Sequence, residues 1–176
     1  MQKNSGDLVV KPLFVVGGVA GCGKSTLAAA LARALDVAFR DGDDLHPPTN
    51  KAKMAAGEAL TDTDRAPWLA ACAAQLAEWG DGGGVISASA LRRAYREILY
   101  AAHPGVIYVL IDITPECAAS RAAVRPSHFW PASLTASQFA ILEPPGADER
   151  ALRVAAERPT DQQVAAICVA ISSPRA

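Results

Sequence analysis

The chain has 176 residues, of which 51% are hydrophobic, and 17 basic against 18 acidic residues give it a net charge of −1. This is the length of one ordinary domain with a substantial core, and the balanced charge excludes the broad basic face of a nucleic-acid-binding protein. The four cysteines, at positions 22, 72, 117 and 168, have no paired short spacing, which disfavours a zinc site or a disulfide framework and fits reduced cytoplasmic thiols.

The N-terminal region contains one apolar run, from Leu8 to Val16, which Lys11 and Pro12 interrupt. It is too short to span a membrane and makes a poor signal-peptide core, so we expect a cytoplasmic protein without a membrane segment. Residues 1–11 are predicted to form a loose tail. A first strand is predicted from Pro12 to Val16, buried on both faces because its residues are continuously apolar.

The rest of the chain alternates short apolar runs with helical stretches. Further strands are predicted at Val37–Phe39, Gly84–Ser87 and Val106–Ile111, and helices at Leu27–Leu35, near Pro67–Trp79, at Leu91–Ala101 and at Pro115–Val124. Such alternation is typical of an α/β fold in which a parallel sheet is covered by helices on both faces. We predict a single domain over residues 1–176, without repeats.

A glycine-rich segment joins the first predicted strand to the first predicted helix. Residues 18–26 read Gly-Val-Ala-Gly-Cys-Gly-Lys-Ser-Thr and match the phosphate-loop pattern G-x-x-x-x-G-K-[ST]. Glycines there let backbone N–H groups turn towards phosphate oxygens, and the helix start adds the positive end of its dipole. Lys24 is expected to reach the β- and γ-phosphates and Ser25 to bind Mg²⁺. The predicted ATP-binding residues are Gly18, Gly21, Cys22, Gly23, Lys24, Ser25 and Thr26.

Three carboxylates, those of Asp41, Asp43 and Asp44, follow the second predicted strand. In a doubly wound sheet this turn lies close to the phosphate loop, where carboxylates can hold Mg²⁺ or accept a hydroxyl proton. An acidic turn after a strand is also well explained as a solvated loop or a helix cap.

Further blocks stand in order along the chain: Asp41-Gly42-Asp43, Leu45-His46-Pro47, Asp64-Arg65, Pro67-Trp68-Leu69, Ser89-Ala90-Leu91, Tyr95-Arg96, Arg121, Arg125, His128-Phe129 and Ser137-Gln138-Phe139. Together with the phosphate loop they resemble the gluconokinases, a family of P-loop small-molecule kinases. The resemblance runs from about Leu13 to Pro144. The chain departs from the family pattern at Cys22, Ala88, Arg92 and Trp130, where Ser, Cys, Lys and Met are usual, and at Asp44, where an apolar or aromatic residue is usual.

The resemblance implies a three-layer P-loop kinase fold with a small lid at about residues 121–133, and ATP- and Mg²⁺-dependent phosphorylation of gluconate to 6-phosphogluconate. It assigns Asp43 to the acceptor hydroxyl and its proton and Asp41 to Mg²⁺ through water, although the two roles can be exchanged. Arg121 and Arg125 are predicted to close over the phosphates as catalytic lid residues. Since they lie four apart near a helix end, solvated charges that complement the helix dipole are the alternative.

An anionic polyol requires a positive charge and several neutral hydrogen-bonding groups. The candidates for binding gluconate are Asp43, His46, Lys53, Arg93 and His128, and each histidine is equally well explained by a capping or core role. Asp62 and Asp64 are predicted to start a helix and to be structural. Asp112 is predicted to be a loop or helix-start residue, with Thr114 as a competing cap.

Three other functions are consistent with parts of the sequence. A kinase of the same fold acting on shikimate or another small hydroxy acid needs the same phosphate loop and aspartates. A non-enzymatic P-loop nucleotide switch needs only the loop, and a non-catalytic binding module would explain the departures from the family pattern. The histidine and arginine blocks favour gluconate, and a homodimer is implied by the resemblance alone.

Overall fold

The computed structural model describes residues 10–123 and 132–172. Within these residues five strands alternate with seven helices. In chain order they are β1 Leu13–Gly17, α1 Lys24–Leu35, β2 Ala38–Asp41, α2 Pro48–Ala55, α3 Asp62–Trp79, β3 Gly84–Ser87, α4 Arg93–Ala102, β4 Val106–Asp112, α5 Pro115–Ala123, α6 Ala132–Ile141, β5 Ala151–Ala155 and α7 Thr160–Ser172. Short 3₁₀ turns cover Gly42–Leu45 and Gly80–Gly82.

The five strands form one parallel sheet in the order β2-β3-β1-β4-β5. β1 is the central strand: Val15 is in register with Ile86 of β3 on one side and with Tyr108 of β4 on the other. Because all strands run in the same direction, their carboxyl ends meet at one edge of the sheet. The phosphate-loop segment and the acidic turn after β2 both lie at this edge.

Alternate residues of β1 point to opposite faces of the sheet, and both faces are covered. Phe14 and Val16 pack with buried residues of α1 and α7, whereas Leu13 and Val15 pack with buried residues of α3 and α4. All five residues of β1 are buried. This confirms the predicted α/β fold with three layers.

The predicted strands and helices all occur, with ends shifted by a few residues. α3 begins at Asp62 because Thr61 caps it: the Thr61 hydroxyl accepts a hydrogen bond from the backbone of Asp64, whose carboxylate bonds back to the Thr61 N–H. The prediction that Asp62 and Asp64 start this helix is confirmed. At α5, the Thr114 hydroxyl accepts a bond from the Cys117 N–H, and the Asp112 carboxylate instead pairs with Arg153.

The apolar patterns of the sequence did not predict four elements: α2, α6, β5 and α7. β5 is an edge strand with only Val154 buried, and α2 buries only Asn50, so neither carries a clear apolar period. Across residues 10–123 and 132–172, no helix combines the length and apolar character needed to cross a membrane.

Candidate active site

The phosphate-loop segment turns sharply between β1 and α1. Gly18, Gly21 and Gly23 have φ angles of 132°, 80° and 101°, which side chains other than glycine rarely adopt. A Cβ on Gly21 would also lie 3.0 Å from the Ala118 carbonyl oxygen. Among the described residues, no side chain caps the start of α1, and its first turn contains no acidic residue. The N-terminal N–H groups of this helix therefore remain suited to an anion.

A cleft of about 700 Å³ opens next to this loop. Seven segments line it: the phosphate loop, the turn after β2, the region of α2, the start of α3, the segment after β3, the start of α4, and α6. The predicted site residues on its wall are Lys24, Ser25, Asp43 and His46, together with Gly21 and Gly23. Its volume is typical of a small-molecule site. The structure thus brings the phosphate loop and part of the predicted acceptor site into one cavity.

The turn that carries Asp43 is held from three directions. The Asp41 carboxylate accepts hydrogen bonds from the Asp43 N–H at 3.1 Å and from the Ser87 hydroxyl at 2.9 Å. The Trp68 indole N–H donates to the Gly42 carbonyl at 2.8 Å. A Cβ on Gly42 would lie 2.2 Å from the Ser87 carbonyl oxygen, so only glycine fits there. Asp41 therefore anchors the turn, and Asp43 faces the cleft.

His46 is buried and also lines the cleft, so its position is compatible with both explanations considered from the sequence. Its ring stacks on Trp68 with centroids 4.6 Å apart, and the Asn50 amide lies 3.3 Å from Nδ1. Burial, together with the positive charges of Lys51 and Arg65, lowers the pKa of His46 from 6.5 to about 4. The ring is neutral near pH 7 and offers a neutral hydrogen-bonding group to a ligand.

Sequence reasoning missed the cationic wall of the cleft. Arg65, with a side chain 17% exposed, lines the cavity beside Tyr95 and lies 5.7 Å from the centre of its ring. Asp62 accepts a hydrogen bond from the Tyr95 hydroxyl and pairs with Arg92 at 2.8 Å and with Arg65 at 3.6 Å. Asp64-Arg65 was visible in the sequence as part of a family block, but only the fold shows that Arg65 reaches the cleft.

Two predicted gluconate-binding residues are not brought to the cleft. The Lys53 ammonium pairs with Asp64 at 2.7 Å, and this hydrogen bond, with those from Thr61, lowers the Asp64 pKa to about 2. Arg93 pairs with Asp148 at 2.6 Å and with Glu97 at 3.0 Å on the outside of α4. The placement does not support either assignment. Lys51, two residues from Lys53, lines the cleft instead.

A second cavity, of about 620 Å³, lies on the other side of the phosphate loop. Cys22, Thr26 and Arg121 line it, and the Arg121 guanidinium donates to the carbonyls of Cys22 at 3.4 Å and Ala156 at 2.7 Å. Arg121 therefore sits beside the loop, bound to backbone oxygens. The other predicted lid residues, Arg125 and His128, lie outside the described residues, as do residues 124–131 of the predicted lid.

α6 also contacts the phosphate loop. The Gln138 side-chain oxygen accepts a hydrogen bond from the Ala20 N–H at 2.6 Å, and Leu134 and Ser137 line the cleft from the same helix. The Lys24 ammonium lies within the cleft and donates to the Val19 carbonyl at 3.0 Å. The cleft is thus bounded by the loop on one side and by α6 on another.

A parallel α/β sheet whose central strand leads through a G-x-x-x-x-G-K-S loop into a cleft defines a P-loop nucleotide-binding protein, and the comparisons place it among the kinases. Comparison with known proteins agrees: the family model described as shikimate kinase matches residues 20–169. The gluconokinase of Gluconobacter oxydans is 46% identical over 164 residues, which is 92% of each chain. The thermoresistant gluconokinase of Escherichia coli is 40% identical over 139 residues, covering 78% of this chain and 79% of that one.

A solved structure is similar over the same length. The crystal structure of a gluconokinase from Sinorhizobium meliloti 1021 has a TM-score of 0.82 and 36% identity, and the match covers 93% of this chain and 97% of that chain. The chain belongs to the shikimate kinase family of P-loop kinases and, within it, to the gluconokinases.

The buried His46 predicts a specific pH dependence of stability. Its pKa is about 4 in the folded protein and 6.5 without burial, so the unfolded chain binds a proton more readily. The free energy of unfolding should therefore fall as the pH is lowered from 6.5 towards 4. His46→Phe keeps a ring against Trp68 and removes the titrating group. When the free energy of unfolding is measured by urea denaturation at several pH values and plotted against pH, its slope should be shallower in the variant by up to about 1.4 kcal/mol per pH unit. Equal slopes in the two proteins would contradict this account.

Proposed function

We propose that this protein transfers the γ-phosphoryl group of ATP to gluconate and forms 6-phosphogluconate. The observation that carries the proposal is the single cleft that holds Lys24 and Ser25 of the phosphate loop together with Asp43, His46 and Arg65. Phosphoryl transfer needs positioning and charge neutralisation more than covalent chemistry, and these side chains offer both. The names of the similar proteins support gluconate over shikimate as the acceptor.

On the donor side, the backbone N–H groups of the loop and the start of α1 bind the phosphates, and Lys24 neutralises the β- and γ-phosphates. A hydroxyl and carboxylates are the oxygen ligands that Mg²⁺ prefers, so Ser25 would hold the ion and Asp41 would contribute through water. When bound, Mg²⁺ neutralises phosphate charge. The cavity beside Arg121 and Thr26 takes the rest of the nucleotide.

On the acceptor side, Asp43 orients the hydroxyl that attacks and accepts its proton. The carboxylate of gluconate pairs with Arg65, whose planar guanidinium can form two parallel hydrogen bonds to it, and Lys51 adds positive charge. Neutral His46 contacts the sugar hydroxyls. A cytoplasmic location and a homodimer, both predicted from the sequence, stay predictions.

The first test is the acceptor. We expect ADP release from Mg·ATP to depend on gluconate. Shikimate, and sugar acids other than gluconate, should be turned over little, and no ADP should be released without an acceptor. The Lys24→Ala variant measures contaminating activity. Turnover with a different acid would keep the kinase mechanism and refute gluconate, whereas ADP release that is independent of any acceptor would favour the nucleotide-switch alternative.

The role of Asp43 predicts a change in kcat. Asp43→Asn removes the proton acceptor but keeps the size of the side chain, so kcat should fall by about 10² to 10⁴-fold while the KM for ATP changes little. Asp44→Asn removes the same charge from the next residue of the same turn and should cost less than about tenfold. Steady-state kinetics of both variants test this role, and an equal loss of kcat in the two would argue against Asp43 as the base.

The cationic wall predicts which residue binds the carboxylate. Arg65→Gln should raise the KM for gluconate by about 10 to 100-fold, because a charge-assisted hydrogen bond is lost from a largely desolvated pair. Lys53→Gln removes a positive charge that the structure pairs with Asp64, and should leave that KM within about twofold. The opposite result would restore the sequence-based assignment of Lys53.

A further inference from the structure

A buried ion pair lies outside both cavities. The side chains of Arg96 in α4 and Glu149 before β5 are only 1% and 4% exposed, and they form two hydrogen bonds, from Nε at 2.6 Å and from Nη2 at 2.8 Å. Removing two charges from water costs free energy that their attraction often only offsets. Stability alone is therefore a weak explanation for a pair in this position.

The remaining nitrogen of Arg96 contacts the segment that follows β3. Its Nη1 approaches the carbonyls of Leu91 at 3.3 Å and Ala90 at 3.4 Å, and Ala90 has the unfavourable φ of 39°. The neighbouring Ser89 carbonyl accepts bonds from the Gly18 N–H of the phosphate loop and from the Tyr108 hydroxyl. Ser89 and Leu91 both line the acceptor cleft. Arg96 thus supports a strained cleft-lining segment from behind.

The same nitrogen also contacts the segment that follows α6. It donates to the Glu143 carbonyl at 2.9 Å, while the Glu143 N–H donates to the Leu91 carbonyl at 2.9 Å. The Glu149 carboxylate, held by Arg96, accepts a further bond from the Gly146 N–H. Since α6 ends at Ile141, these bonds fix its carboxyl end against the segment after β3. α6 is the helix that closes the cleft and contacts the phosphate loop through Gln138.

We propose that Arg96 is a positioning residue for the acceptor cleft: together with Glu149 it holds the Ser89–Leu91 segment and the end of α6 at a fixed separation, which sets how the acceptor binds. The effect is indirect, because Arg96 lines neither cavity. The inference rests on the proposed function only for the identity of the acceptor. It predicts that disturbing Arg96 changes acceptor binding and not merely the stability of the fold.

The first variants keep or remove one charge at a time. Arg96→Lys retains the charge but loses the planar set of donors, and should raise the KM for gluconate about tenfold, with the KM for ATP within about twofold. Glu149→Gln should have a smaller effect in the same direction. Kinetics are measured well below each variant's Tm, so that the whole sample is folded. A lowered Tm with an unchanged gluconate KM would overturn the proposal.

A double variant separates positioning from stability. Arg96→Met with Glu149→Met removes both charges, so no unpaired charge stays buried and its Tm should exceed that of either single Met variant. The donors to the Ala90, Leu91 and Glu143 carbonyls are still missing, so the raised gluconate KM should persist. If the double variant recovered both the Tm and the gluconate KM of the wild-type protein, the Arg96–Glu149 pair would have only a structural role. If Arg96→Lys fails to fold, the gluconate KM of the double variant and of Glu149→Gln still tests the proposal.

The matched control is the neighbouring exposed pair. Like Arg96 and Glu149, Arg93 and Asp148 join α4 to the segment before β5, but their side chains are 49% and 63% exposed. Asp148→Asn should therefore leave the gluconate KM unchanged. Failure of the proposed function is recognised separately, by wild-type protein that shows no gluconate-dependent turnover. In that case the inference is tested by amide hydrogen exchange measured without substrate. Faster exchange in Ser89–Leu91 and α6 of Arg96→Lys than of Asp148→Asn would support it. Equal exchange in the two variants would overturn it.

Discussion

The cleft depends on the backbone of the phosphate loop, which turns sharply between the central strand and α1. Three glycines with positive φ allow this turn, and it begins at the carboxyl end of the central strand. Because β3 and β4 flank β1, the segments that follow them necessarily lie beside the loop. The Ser89 carbonyl accepts a bond from the Gly18 N–H, and a Cβ at Gly21 would lie only 3.0 Å from the Ala118 carbonyl oxygen. The remaining residues of the cleft are arranged around this loop.

The acidic turn lines the same cleft as the phosphate loop although β2 is not a neighbour of β1. β3 lies between them, and Ser87 at its end bonds to the Asp41 carboxylate. Trp68 completes the support by donating to the Gly42 carbonyl and stacking on His46. One indole therefore positions both a carboxylate-bearing turn and a neutral imidazole. Lys51 donates to the Asp44 carbonyl, and Arg65 lines the same cleft, so positive charge stands beside the acidic turn, which suits an anionic ligand.

Closure of the cleft involves segments far apart in the chain. α6 covers the acceptor side and contacts the phosphate loop, while the Arg96–Glu149 pair ties the end of α6 to the segment after β3. Both connections join residues separated by more than forty positions. A hydrogen-bonded charge pair is directional, so it fixes a separation that apolar packing would leave adjustable.

The sequence by itself determined the features that depend on local order. Continuous apolar runs predicted β1, β3 and β4, the glycine pattern predicted the phosphate loop, and Asp62 and Asp64 predicted the start of α3. Each of these follows from steric preferences and hydrogen bonds within a few residues. Recognition of the family blocks added the kinase activity, which the comparisons support.

Only the tertiary structure decided which charged side chains face the cleft. Lys51 and Lys53 are two residues apart in α2, about 200° around a helix, so one lines the cavity and the other pairs with Asp64. Arg93 pairs with Asp148, 55 positions away, and Arg65 reaches the cleft because α3 packs over the sheet there. The orientation of a helix about its axis is set by what it packs against, and that information is spread over the whole chain.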